Sequence, residues 1–160
     1  MAESPDALVR FHHPVAGFAL VLPPGWEAVR DPQPGVGMIA LEPPDRGRFR
    51  TNLVVTVEDV GGLAFEDWQL GCDELLPRTL LDYQLLDLER LDDERGPGVR
   101  RLAQHSAGGT CWVTLEQWVA LVGSTGVTLS ATVETARYDA AADELATIAA
   151  SLDVPPEAVA

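Results

Sequence analysis

The sequence predicts an α+β fold, an antiparallel β-sheet with helices flanking it. Three observations predict it. In the second half of the chain, segments of strand period are joined by connections too short for crossover helices, Asp92 to Gly98, Gly108-Gly109 and Gly123 to Gly126, which implies a meander. Only two segments change to a helical period. No repeat, low-complexity tract or shift in composition divides the 160 residues, so a single domain is expected over 11–153, with a flexible N-terminus at 1–10 and a flexible tail at 154–160.

The elements follow in order. Phe18 to Leu22 is a short apolar strand stopped by Pro23-Pro24-Gly25, because proline cannot continue a central ladder. An extended piece restarts at Trp26 and runs to about Val29. After a Pro/Gly loop from Asp31 to Gly37, a strand is expected at Val36 to Glu42. Thr51 to Glu58 alternates, with Leu53, Val55 and Val57 on one side and Asn52, Val54 and Thr56 on the other. Gly61-Gly62 breaks it. Ala64, Trp68, Cys72, Leu75, Leu76 and Leu80 then recur at helical spacing, predicting a helix over roughly 64 to 76 that ends near Pro77. Strands follow at Tyr83 to Leu91, Val99 to His105, Thr110 to Val122 and Val127 to Glu134. A second helix from about Ala140 to Ser151, capped by Asp139, carries Leu145, Ile148, Ala149 and Leu152 as its apolar stripe. Pro155-Pro156 ends it.

Composition excludes several activities. The 11 basic residues are all Arg, against 25 acidic ones. Without Lys there is no P-loop nucleotide site, no pyridoxal-phosphate aldimine and no Schiff-base aldolase. A formal charge of −14 opposes binding to nucleic acid or to an anionic membrane. The N-terminal MAESPDALVR has neither a basic nor an apolar leader segment, and no apolar run approaches a membrane span, so a cytoplasmic location is expected. The scarcity of Lys, Asn and Ile fits a GC-rich bacterial coding sequence.

Strand alternation then suggests a face for recognition. Val127, Leu129, Ala131 and Val133 form one side of the last strand, and Thr128, Ser130, Thr132 and Glu134 the other. In the preceding strand, Cys111, Val113, Leu115, Val119 and Leu121 form an apolar side with Gln117 as the exception. Trp112, Thr114, Glu116 and Trp118 lie opposite. One sheet face is therefore expected to be aliphatic core, and the other an open polar surface holding two tryptophans about 20 Å apart.

LPPGWE at Leu22 to Glu27, Arg50-Thr51-Asn52-Leu53-Val54-Val55 ahead of a helix, and a Thr-rich strand leading to Ala-Ala-Ser-Leu at 149 to 152 together resemble the PsbP-like superfamily. Mog-type Ran-binding proteins, photosynthetic PsbP, DcrB-like proteins, LpqN-type lipoproteins and Eag-type chaperones of secretion effectors belong to it. The resemblance covers about residues 11 to 153. It implies a PsbP-like α/β sandwich and a non-enzymatic protein-binding or chaperone role. The lipobox cysteine of the lipoprotein members has no counterpart, and no residues match a PsbP-type metal site.

Candidate chemistry is sparse. His12-His13 places adjacent side chains on opposite faces of a strand, so no metal site is expected. Asp92-Asp93-Glu94 lacks the alternating ligand spacing of a calcium loop and reads as a solvated turn. Cys72 and Cys111 are either two reduced, buried thiols or one bridge. Trp68 and Trp26 read as packing residues, whereas Trp112 and Trp118 are either covered by another segment or exposed to a partner. No catalytic residue, cofactor or metal is expected; the residual enzymatic alternative is weak acid/base chemistry by Glu116 with His105.

The expected function is binding of another polypeptide, as a chaperone or secretion adaptor for a secreted effector, through Trp112, Glu116, Trp118, Thr128, Ser130 and Thr132. The alternative is a small-molecule or lipid ligand in the same groove. Monomer and homodimer both remain open.

Overall fold

A computed structural model describes residues 8–156. Strands β1 (Val9–His12) and β2 (Ala19–Leu22) form a two-stranded sheet. The main sheet contains β3 (Glu27–Gln33), β4 (Val36–Leu41), β5 (Asn52–Asp59), β6 (Leu81–Arg90), β7 (Gly98–Ser106), β8 (Trp112–Val122) and β9 (Thr125–Glu134). Its order is β3-β4-β5-β9-β8-β7-β6, with every neighbouring pair antiparallel. Helix α1 (Phe65–Thr79) lies between β5 and β6 in sequence, and α2 (Tyr138–Ala150) follows β9 after a 3-10 turn. The predicted antiparallel α+β architecture is observed.

Each face of the main sheet carries its own core. Alternation in β5 and β9 sends Leu53, Val55, Leu129, Ala131 and Val133 to one side, where they meet Phe18 and Leu20 of the β1–β2 unit and Leu145 and Ile148 of α2. Complete burial of each such side chain contributes about 2 kcal/mol before entropy is counted. On the other side, α1 packs Phe65 and Trp68 against Val99 and Val119. Gly126 permits this approach: a Cβ there would stand 2.5 Å from the Trp68 ring. The Trp68 indole N–H donates to Glu58 at 2.7 Å, satisfying its one polar atom.

The helix ends differ from the sequence expectation for local reasons. Helix α1 runs through Pro77 to Thr79, because a proline in the last turn removes only its own N–H bond and Leu80 still donates to the Leu76 carbonyl at 2.9 Å. Asp139 does not cap α2. Arg137 holds that position without a side-chain cap, and Asp139 falls in the first turn, where its charge still opposes the helix dipole. The Arg137 guanidinium forks onto both Glu42 oxygens at 2.9 and 3.0 Å, which pins the entry of α2 to the end of β4. That fork, chiefly through its hydrogen bonds, holds the Glu42 carboxyl below its ordinary pKa.

Described residues on both sides of 11–153 make contacts with the fold. Val9 and Arg10 pair with Leu22 and Val21, so neither belongs to a loose terminus. At the other end Asp153 bridges to Ala19 and Val154 is buried. Residues 1–7 and 157–160, where flexible ends were expected, lie outside the described residues.

Candidate functional site

The expected recognition face does not exist as one surface. A two-residue turn at Gly123-Ser124 pairs Val122 with Thr125, and this register carries Trp118 opposite Leu129, Glu116 opposite Ala131 and Gln117 opposite Ser130. Residues directly opposite share a face. Trp112, Glu116 and Trp118 therefore project to the α2 side with the aliphatic residues of β9, while Thr128, Ser130 and Thr132 project to the α1 side. The expected open face is also corrected: a helix covers part of each side. His105 pairs with Val113 and Leu102 with Glu116, so the sheet itself separates His105 from Glu116.

Their surroundings differ accordingly. Glu116 is buried, accepting from Arg100 Nε at 2.6 Å and from the Tyr138 hydroxyl at 3.1 Å. It joins β7, β8 and the start of α2. Burial first, and then the adjoining carboxylate, push the Tyr138 phenol above its ordinary pKa. Trp118 packs at the edge of the α2-side core and lines a groove of about 300 Å³ with Leu91, Ala146 and Ala149. Trp112 is half-exposed at the far end of β8. Thr128 and Ser130 line a cleft of about 170 Å³ with Cys72 and Leu76, under the opposite side of α1 from β6; Thr132 lies outside it.

One heavily bonded buried group is a residue that sequence reasoning missed. Arg101, only 1% exposed, projects from β7 beneath α1. Its Nη2 donates to Asp73 Oδ1 and to Gln69 Oε1, the latter at 3.1 Å, and its Nη1 donates to Gln117 Oε1 at 2.9 Å. Gln117 passes the chain on to Ser130 at 3.0 Å. A buried guanidinium requires such partners, since an unpaired charge in this environment costs several kcal/mol. A faint signal was present in the sequence. Gln117 interrupts an apolar face, and Gln69 and Asp73 are spaced four apart on α1, one turn from each other.

Arg101 and Gln69 also line a groove of about 340 Å³ between α1 and β6, together with Phe65, Leu70, Leu88 and Val99. Its outer rim continues into an apolar edge. Strand β6 has a neighbour on one side only, and its Leu81, Leu85, Leu86 and Leu88 are between 47% and 62% exposed. Leu70 and Leu75 of α1 are exposed as well. Asp82, Asp87 and Glu89, with two irregularities in the β6–β7 register, separate these leucines.

The remaining candidates have structural places. Among the described residues no group of three or more His, Cys, Asp or Glu is arranged to hold a metal ion. His13 donates from Nε2 to Asp31 at 2.7 Å and accepts the Ala16 N–H at Nδ1, closing the turn after β1. Cys72 and Cys111 are free thiols, and burial raises the Cys72 pKa.

No family model matches the sequence, and no curated protein matches it. Solved structures do. The chain is similar to cyanobacterial PsbP (CyanoP) from Synechocystis, with a TM-score of 0.75 and 17% identity over 94% of each chain. LpqN of Mycobacterium tuberculosis, described as involved in cell envelope biogenesis, superposes with a TM-score of 0.67 at 15% identity, covering 93% of this chain and 91% of that one. The Ran-binding protein Mog1p of Saccharomyces cerevisiae gives 0.63 at 13% identity, covering 92% and 95%. At these identities the likeness is one of fold.

Proposed function

We propose that this chain, which has the PsbP-like fold, acts by binding another polypeptide, without a catalytic step of its own, through the apolar edge formed by β6 and α1. The observation that carries the reading is the concentration on β6 and α1 of exposed leucines at Leu70, Leu75, Leu81, Leu85, Leu86 and Leu88, six of the thirteen large exposed apolar side chains among the described residues. Exposed apolar side chains gathered along one edge mark an interaction site, and an edge strand adds unpaired backbone donors and acceptors along it. The binding of Ran named for one structural neighbour is in keeping with a polypeptide partner. The chaperone or secretion-adaptor role is the finer form of this reading, with a secreted effector as partner; the cytoplasm is the compartment it requires.

The test uses a photo-crosslinking amino acid placed at position 86, with position 29 on the opposite edge strand as control. A partner crosslinked from 86 and not from 29, and lost on Leu88→Arg, is the expected result. Leu88 is exposed, so that substitution should change stability by no more than about 0.5 kcal/mol. Equal crosslinking from both positions, or none from 86 while the partner is still captured, would place the interface elsewhere.

A further inference from the structure

We propose that the groove between α1 and β6 recognises a neutral amide carbonyl next to a branched aliphatic side chain, as a leucine-containing segment of a bound polypeptide presents. This deepens the polypeptide-binding reading and rests on it.

The proposal starts from unpartnered donors. Among the described residues, three buried side-chain polar atoms lack a hydrogen bond, and two of them, Gln69 Nε2 and Arg101 Nε, belong to residues bonded to each other that line this groove. Buried donors are ordinarily satisfied, and each one left open costs about 1–3 kcal/mol. The orientation of the Gln69 amide is fixed by chemistry: its oxygen receives the Arg101 guanidinium, so its NH2 group must point away from that donor. Two sets of N–H groups thus lack an acceptor; both are closed to solvent in the free chain, so a ligand reaches them as the groove wall yields around it.

The charge of that acceptor follows from what surrounds the donors. Arg101 is already neutralised by Asp73, and Glu66 stands on the same rim. A carboxylate would meet Glu66 and Asp73, while both cations of the wall are already paired, Arg101 with Asp73 and Arg90 with Glu66 and Asp92. A neutral carbonyl meets no such repulsion. Phe65, Leu70, Leu88 and Val99 form the apolar remainder of the wall, and about 340 Å³ admits one branched side chain with its adjoining amides.

The test uses the whole chain, labelled with nitrogen-15, and two probes that share the isobutyl group of leucine and differ in charge. N-acetyl-L-leucine methylamide is neutral; 4-methylpentanoate carries the same aliphatic group on a carboxylate. The expected result is that the amide probe shifts the Gln69 side-chain NH2 and the backbone resonances of Leu70, Leu88 and Val99, and binds more tightly than the carboxylate. Gln69→Met should then weaken the amide probe about fivefold, the worth of one ordinary hydrogen bond. Equal or tighter binding of the carboxylate would overturn the proposal in favour of a small acidic or lipid ligand. So would saturation without movement at these residues. The comparison of probes in the unsubstituted chain stands even if Gln69→Met folds poorly. A partner that crosslinks from position 86 while the amide probe leaves the groove unmoved would defeat this inference and leave the polypeptide-binding reading intact.

Discussion

The Asp73 carboxylate is the residue on which the buried Arg101 most depends, because Gln69 and Gln117 supply acceptors but no charge. Asp73→Ala should therefore destabilise the chain by about 3 kcal/mol in urea unfolding, and adding Arg101→Met should recover part of that loss by removing the stranded cation. A double variant less stable than the single one would show that Arg101 does not need its counterion. Glu42 provides a pH-dependent counterpart. Its folded pKa lies below that of an ordinary glutamate, so its contribution is complete above the ordinary value and is lost as pH falls through the lower folded one. The stability gap between wild type and Glu42→Gln should accordingly be present near about pH 7 and close progressively below about pH 4. Thermal melts across that range would show it, and a gap that widens in acid would contradict the assignment. Cys72 behaves in the opposite sense: burial raises its thiol, so alkylation in the folded chain should be at least about tenfold slower than in denaturant, measured by mass spectrometry.

At the scale of elements, the seat of α1 is set by one missing side chain. Gly126→Ala would place a Cβ 2.5 Å from Trp68 Cζ2, and overpacking of this kind costs about 1–3 kcal/mol. Trp68→Leu in the same chain should make Gly126→Ala nearly neutral; a cost that persists would locate the strain in the backbone. Much of the element succession was legible in the sequence. Leu53, Val55 and Val57 alternate without ambiguity, and the α1 stripe from Trp68 to Leu76 has a clear helical period. The β8–β9 register was not, and the reason lies in β8. Glu116 and Gln117 put a polar residue on each of its faces, so alternation does not decide which face is buried, and only the turn does. Gly123 to Gly126 reads equally as a four-residue or a two-residue connection. Either length sets the even-numbered residues of β8 opposite odd-numbered residues of β9, so Trp112, Glu116 and Trp118 share the face of Leu129 and Ala131; matching polar with polar residues is what grouped them with the β9 threonines. Arg101 escaped notice for a related reason, since a pair of arginines in a strand resembles a solvated edge until α1 is laid over it.

For the whole molecule, the two cores share one sheet and are expected to unfold together. Calorimetric and van't Hoff enthalpies should agree, and an excess of the calorimetric value would reveal that α1 and its cluster melt separately. The order β3-β4-β5-β9-β8-β7-β6 carries a further consequence, in time rather than in stability. Strands β6 to β9 are sequential neighbours and can zip by short turns, but the central ladder joins Asp59 to Thr125 across everything folded in between. Closing so long a loop pays its entropy before any contact rewards it, and such pairings slow folding. The meander should therefore acquire protection from hydrogen exchange first, β5 should join it late, and β3 and β4, which reach the sheet only through β5, later still. Pulse labelling would read that sequence directly. Until β5 arrives, β9 is itself an open edge, so for part of its folding time the chain has exposed strand edges on both sides of the nascent sheet, and that interval is when it is most prone to join another copy of itself.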